Sequence, residues 1–277
     1  MRKISDFLVF SSIYISVCAV VMVYQTGQLL HFSFSWSLAA FVFSSTMCSY
    51  NFHWFLLPDQ ADAPGHASWT HGHKSLHLFF YFAGICGAAW FFFILKAHWF
   101  ALCFGAFVTF LYSAPKIPHP FFRLLRSIAV GKTIFLAMVW MYVTTALPVF
   151  VSGGSWTMEA TLFCISRFMF IYAICILFDF RDREEDIRAG IKSLVTWLGE
   201  KGIAWLFLIS LLLFLISTLA LYAYGIGPFL IIILLVPGLI VGLLYNYARR
   251  HFSDYLYYVI LDGLMMFSGL LMLIFQI

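Results

Sequence analysis

Long apolar runs separated by short polar connections dominate this chain, and these runs alone predict its secondary structure. A membrane-spanning helix needs about 20 consecutive, mostly apolar residues. Because backbone amides in lipid must be paired within their own segment, helices are the predicted form of such runs. The sequence therefore predicts an all-α integral membrane bundle of about nine transmembrane helices. The predicted spans are residues 7–24, 36–54, 76–95, 99–112, 128–150, 158–178, 202–224, 227–247 and 255–275.

Composition agrees with a chain that is solvated mainly by lipid. The 277 residues are 63% hydrophobic and only 10% charged, whereas a soluble domain would carry about 25% charged residues. The formal net charge of +4 is spread over short gaps between apolar runs, so we expect no nucleic-acid partner. The six cysteines lie inside apolar runs without a CxxC pair, which is typical of small core residues.

The distribution of basic residues predicts the orientation of the bundle. With nine spans and a cytoplasmic N-terminus, nearly all Lys and Arg residues between the spans fall in cytoplasmic connections, and only Lys96 falls outside. This asymmetry is the usual topology signal of inner-membrane proteins. We expect membrane lipids around a single domain, residues 1–277, in a bacterial cytoplasmic membrane.

An acidic cluster follows the sixth predicted span. Five of the twelve acidic residues lie between positions 179 and 186. Asp179, Asp182 and Asp186 have the spacing i, i+3, i+7, which places them on one face of a helix. Three such carboxylates would form an oxygen site for Mg²⁺ bound together with substrate phosphates. The alternative is a solvated helix end whose charges mark only the membrane boundary.

The pattern Asp179-x-x-Asp182-x-x-x-Asp186, followed by Gly190-Ile191-Lys192-Ser193-Leu194, resembles the second aspartate motif of the UbiA-type intramembrane prenyltransferase superfamily. The resemblance implies nine helices around a cavity that opens to the cytoplasm. It also implies that Mg²⁺ joins two aspartate motifs to a prenyl diphosphate, whose allyl group passes to an aromatic or other lipophilic acceptor. The three aspartates would be the catalytic and metal-binding residues.

Two further segments carry the same resemblance. Tyr112-Ser113-Ala114-Pro115-Lys116 is similar to the family's Tyr-x-x-x-Lys element, which implies that Lys116 and Tyr112 bind diphosphate. Arg123 belongs to a basic patch that would receive the same group, although a positive-inside anchor explains such a patch equally well.

The first aspartate motif of the family, AsnxxxDxxxD, matches only in part. Asn51 and Asp59 occupy its outer positions, which implies that both contribute to the metal site and Asn51 to diphosphate binding. Phe55 stands where the central aspartate belongs, and a phenyl ring cannot bind Mg²⁺. Pro58 also disfavours a continuous helix up to Asp59.

Two other sets of ionisable residues leave alternatives open. The segment from residue 53 to residue 77 is rich in histidine, and His73 and His77 have i, i+4 spacing, so a transition-metal site is a second interpretation. Arg167 lies within the sixth span, where a charge must face the bundle interior or a wet cavity. Asp262 is a possible partner, and a cavity-lining role for Arg167 is equally compatible with the sequence.

We therefore predict a Mg²⁺-dependent prenyltransferase-like protein. The rival hypothesis is a non-catalytic isoprenoid- or lipid-binding membrane protein of the same fold, which the Phe55 substitution favours. The intact second motif favours the enzyme.

Overall fold

Every regular element of the chain in this computed structural model is helical, over the residues that it describes: 2–56, 65–113, 132–188 and 194–276. Turns of π-helix at Tyr142–Ala146 and Leu256–Leu261 connect or precede longer helices. The α-helices are α1 (Arg2–Phe10), α2 (Ile13–Leu29), α3 (Trp36–Phe55), α4 (His66–Gly72), α5 (Lys74–Ile94), α6 (Trp99–Ser113), α7 (Lys132–Met141), α8 (Leu147–Val151), α9 (Met158–Arg188), α10 (Leu194–Ala220), α11 (Pro228–Ala248) and α12 (Asp262–Phe275).

The helices confirm a multi-pass membrane protein, but they do not confirm the predicted count of nine spans. Within the described ranges, six helices are long and apolar enough to cross a membrane, and the bent pair α1–α2 raises the number to seven. Helix α3 falls outside this count because its second half carries several polar residues, and α6 falls outside it because it is short.

Helix α9 lies at the centre of the bundle, whereas α5 lies at its edge. About 67% of the most apolar part of the span containing α9 is buried, compared with 11% for α5. Ile171, Ile174 and Leu177 of α9 are almost completely inaccessible. The acidic cluster of the sequence therefore lies at the end of the central helix.

A sharp bend separates α1 from α2. The two helices meet at 63°, and Ser12 at the break adopts a left-handed conformation with φ of 69°. Such a break releases carbonyl groups from the helical hydrogen-bond ladder, and these need other donors. The Nδ2 amide of Asn51 donates to the Ser11 carbonyl over 3.1 Å, so α3 stabilises the bend.

Helices α3 and α5 pack with their backbones in close contact at Gly84. A Cβ atom at this position would lie 2.7 Å from the Cys48 nitrogen and 2.8 Å from the Ser44 carbonyl oxygen. Both atoms belong to the backbone of α3, so neither can rotate away. Small residues at helix interfaces commonly permit such contact in membranes.

We predict that Gly84→Ala destabilises the bundle by about 1–3 kcal/mol, because the methyl group forces α3 and α5 apart. Gly72→Ala is the matched control, since a Cβ there meets nothing within 4 Å and alanine favours the helical conformation. Thermal unfolding in detergent measures both. Equal melting temperatures for the two variants would show that α3 and α5 are not packed this closely.

Candidate metal and diphosphate site

Asp179 lies at the polar end of α9 and is only 5% exposed. Thr133, at the start of α7, donates its hydroxyl hydrogen to Asp179 Oδ2 over 2.6 Å. This contact joins the beginning of one helix to the end of another. It also fixes the orientation of the Asp179 carboxylate, and sequence spacing gave no indication of Thr133 as its partner.

Asp182, one turn further along α9, is held by its sequence neighbour. Arg181 Nε donates to Asp182 Oδ1 over 2.9 Å, and the Asp182 side chain retains 29% of its accessible surface. The guanidinium carbon of Arg181 lies 4.7–5.1 Å from the ring centroids of Phe178, Tyr257 and Tyr258. Aromatic faces attract such a cation, so Arg181 is held in a fixed position beside the carboxylate.

Arg181 also has unused hydrogen-bonding capacity. Its Nη1 atom is buried and lacks a hydrogen-bond partner among the described residues. A buried guanidinium donor without a partner is costly, and an anionic oxygen close to Asp182 would satisfy it. The sequence pattern did not single out Arg181, although its position between two motif aspartates is a usable signal.

The described carboxylates fit Mg²⁺ better than a transition metal. Asp179 and Asp182 are hard oxygen ligands, and Mg²⁺ commonly uses one or two carboxylates together with substrate phosphates and water. Within the described ranges, no three His, Cys, Asp or Glu side chains are close enough to form a metal site. Asp186 belongs to the same helix, and its side chain is outside the described part of the structure.

Asn51 is engaged in structural hydrogen bonds. Its Nδ2 donates to the carbonyls of Ser11 and Met47, and its Oδ1 accepts a hydrogen bond of 2.7 Å from His77 Nδ1. The predicted role of Asn51 in metal and diphosphate binding is still a prediction. In that role its Oδ1 would have to bind the metal while it accepts the hydrogen bond from His77.

Tyr112 lies beside the end of α3. Its ring stacks on that of His53, with centroids 6.0 Å apart and planes 9° from parallel. The structure thus brings Tyr112 to the helix that carries Asn51, as a shared site requires. Lys116, Arg123 and Asp59 lie outside the described residues, so their predicted roles are not tested.

A small aromatic cavity adjoins these helix ends. Tyr50 and Trp54 of α3, His66 of α4, Tyr258 and Asp262 all contribute to its wall. The Tyr258 ring lies against both Trp54 and Phe178. The centroid of the Tyr258 ring also lies 4.7 Å from the guanidinium carbon of Arg181, the partner of Asp182, so Tyr258 contacts both the cavity and the acidic end of α9.

Two histidines of the histidine-rich segment, His66 and His73, make aromatic and backbone contacts around α4. The ring of His66 packs on Phe10, Trp54 and Tyr258. His73 stacks on Trp69 and donates from Nδ1 to the Trp69 carbonyl. These contacts account for the positions of His66 and His73 without a metal ion.

Of the two alternatives for Arg167, pairing with Asp262 is not the one observed. Its guanidinium donates to Gln25 Oε1 over 2.8 Å and to Thr144 Oγ1 over 3.3 Å. Asp262 lies instead on the wall of the cavity that Tyr258 also lines. The cavity-lining alternative for Arg167 is the one that the structure confirms.

This chain is similar in sequence to a known protein family and in fold to solved structures. Residues 70–255, more than half of the chain, match the UbiA prenyltransferase family. Among proteins with curated descriptions, none matches the chain significantly.

Solved structures share the fold over nearly the whole chain. An apo UbiA homolog from Aeropyrum pernix K1 is 16% identical, with a TM-score of 0.70, and the match covers 95% of this chain and 98% of that one. A UbiA homolog from Archaeoglobus fulgidus bound to GPP and Mg²⁺ is 13% identical, with a TM-score of 0.68 and coverage of 96% and 98%. A structure of digeranylgeranylglyceryl phosphate synthase is 15% identical, with a TM-score of 0.60 and coverage of 98% of both chains.

We predict that acid weakens the packing of α4 through His66. Burial, together with smaller contributions from the nearby His77 and Arg181, lowers the pKa of His66 from 6.5 to about 3. The folded state therefore binds fewer protons than the unfolded state between these values, so stability falls as the pH drops from 6.5 towards 3. Thermal unfolding at stepped pH should show this loss, and His66→Gln should reduce it. An unchanged slope in His66→Gln would assign the acid sensitivity to other groups.

Proposed function

Because the chain belongs to the UbiA prenyltransferase family, we propose that it is a Mg²⁺-dependent enzyme that transfers a prenyl group from a prenyl diphosphate to a lipophilic, aromatic acceptor. Members of this family are prenyltransferases. A homolog of the same fold has been solved with GPP and Mg²⁺, which supports both the substrate class and the metal.

The observation that carries the proposal is the pair Asp179 and Asp182 at the end of the central helix. One carboxylate is oriented by Thr133 and the other by Arg181. Preorganised ligands bind a metal–diphosphate group without a large cost of side-chain ordering. In the proposed site, Asp186, Asn51 and Asp59 complete the metal ligands.

The proposed reaction requires neutralisation of the negative charge on the diphosphate leaving group. When bound, Mg²⁺ would offset the charge that develops on the diphosphate leaving group. The bond between prenyl C1 and the diphosphate oxygen breaks, a bond from C1 to the acceptor forms, and the acceptor loses a proton. Lys116, Arg123 and Tyr112 would bind the remaining diphosphate oxygens.

Arg181 would have two tasks at this site. Its Nε orients Asp182, and its buried Nη1 lacks a partner among the described residues. The aromatic rings around the guanidinium keep it in place. We propose that Nη1 donates to a diphosphate oxygen, which makes Arg181 a fixed cation beside the metal.

We also propose that the end of the bundle with the acidic cluster faces the cytoplasm of a bacterial cell and that the N-terminus lies on the same side. The support is the concentration of basic residues in the connections that are predicted to lie at that end. Prenyl diphosphates are charged and water-soluble at the head, so a cytoplasmic opening would admit them directly.

A non-catalytic isoprenoid-binding protein is the second candidate. Phe55 is the last residue of α3 and is 38% exposed, so α3 presents a phenyl ring where a carboxylate would complete a second metal site. Such a protein would bind prenyl diphosphate and release no inorganic diphosphate when an acceptor is added.

We predict that Asp182→Ala weakens the binding of a non-reactive prenyl diphosphate analogue by about tenfold or more, because it removes a metal ligand. Titration with the analogue in detergent, with and without Mg²⁺, measures this. Glu200→Ala is the matched control, since it removes an exposed carboxylate and should bind like wild type. Wild-type binding that does not depend on Mg²⁺ would contradict the proposed mechanism.

We predict a separate defect in Arg181→Gln. The loss of a charged hydrogen bond should weaken analogue binding at saturating Mg²⁺ by about tenfold. Arg181→Lys should recover only part of this loss, because an ammonium group cannot reproduce the planar geometry of the guanidinium. If both variants bind as tightly as wild type, Arg181 does not contact the diphosphate.

A further inference from the structure

A second buried arginine lies far from the acidic cluster. Arg167 is 4% exposed and precedes Asp179 by twelve positions on α9, which corresponds to about 18 Å along the helix. It belongs to the apolar interior of the span Met158–Glu184. An ionisable residue at this depth is expensive and usually marks a site that binds or conducts something.

The partners of Arg167 do not neutralise its charge. Its hydrogen bonds go to the uncharged Gln25 and Thr144, and its guanidinium carbon lies 4.7 Å from the centroid of the Phe163 ring. Among the described residues, no carboxylate forms an ion pair with it. An opposite charge close by strongly stabilises a buried charge of this kind.

The surrounding polar groups offer more donors than acceptors. A guanidinium has five N–H donors, and the described structure uses two of them. Gln25 Nε2 donates to Ser268 Oγ over 2.8 Å, so the Ser268 hydroxyl accepts there and keeps its own hydrogen for another acceptor. Thr144 already donates to the Trp140 carbonyl.

These donors line one small cavity. Gln25, Arg167 and Ser268 contribute to its polar wall, and Phe170 and Phe214 lie on its apolar side. Ser166 also lines the cavity, but its hydroxyl donates to Thr218, which itself donates to the Phe214 carbonyl. A positive charge together with surplus donors on Arg167 and Ser268 is the environment that an anion requires, whereas the charge of Arg167 repels a cation.

We propose that this cavity is a binding site for a small monovalent anion, such as chloride or the carboxylate of an amphiphile, and that Arg167 is its principal ligand. The anion neutralises Arg167 and accepts hydrogen bonds from the guanidinium and Ser268. This site is distinct from the diphosphate site at the end of α9 and does not depend on the proposed enzymatic activity.

The test is thermal unfolding of the purified protein in detergent with sodium chloride or with sodium gluconate at equal concentration. An anion that binds only the folded state raises the melting temperature, and we expect a rise of about 3–5 °C in chloride. The rise should disappear in Arg167→Met and persist in Arg250→Met, which removes an exposed cation. A rise that persists in Arg167→Met would overturn the proposal.

Gln25→Glu provides an independent test that does not remove the arginine. It places a carboxylate where Gln25 Oε1 now accepts from Arg167, so the protein supplies its own anion. We expect this variant to be as stable in gluconate as in chloride. A chloride effect of wild-type size in Gln25→Glu would contradict the proposed neutralisation of Arg167, as would equal melting temperatures of wild type in both salts.

Octanoate in gluconate buffer identifies the source of the anion. Stabilisation by octanoate that exceeds the chloride effect and is lost in Arg167→Met would assign the site to an amphiphile from the membrane. Stabilisation by chloride alone would assign it to a free ion. An octanoate effect that persists in Arg167→Met would contradict binding of a carboxylate at this cavity.

Discussion

A short chain of hydrogen bonds at the end of α3 supports the end of the bundle that carries the candidate site. His77 donates to Asn51, and Asn51 donates to the Ser11 carbonyl at the break between α1 and α2. In an interior without water, each of these groups would be costly if left unpaired. These hydrogen bonds therefore fix α3 relative to α5 and to the bend between α1 and α2. The aromatic side chains at the end of α3 form the cavity beside the acidic cluster, so their positions depend on this connection.

The two buried arginines illustrate two ways of placing a cation in the bundle. Arg181 has an aspartate beside it and aromatic rings around it, so its charge is compensated where the candidate site meets water. Among the described residues, the hydrogen-bond partners of Arg167 are uncharged, and in our proposal a bound anion compensates its charge. The difference follows from position along α9, because carboxylates are tolerated near the end of the span and not in its middle.

Hydropathy predicted the helices and the membrane class, and the family resemblance is confirmed. Asp179 and Asp182 could be predicted to lie on one helix face because a single helix fixes their spacing. Contacts between distant segments were not predictable in this way. The role of Asn51 depends on a left-handed Ser12 that no local pattern signals, and Gln25 approaches Arg167 from 142 positions away. The sequence could not decide between an Arg167–Asp262 pair and a cavity-lining role for Arg167, because it does not show at which depth each side chain lies. The count of nine spans is not confirmed within the described residues, because α3 is polar over its second half and α6 is short.

The most direct test of the proposed site is a structure of the protein with a non-reactive prenyl diphosphate analogue and Mn²⁺ in place of Mg²⁺, located by its anomalous scattering. We expect a Mn²⁺ peak in contact with the Asp182 carboxylate and the diphosphate, with Arg181 beside them. A metal bound at the histidines around α4, or an analogue bound away from the end of α9, would contradict the assignment of the site.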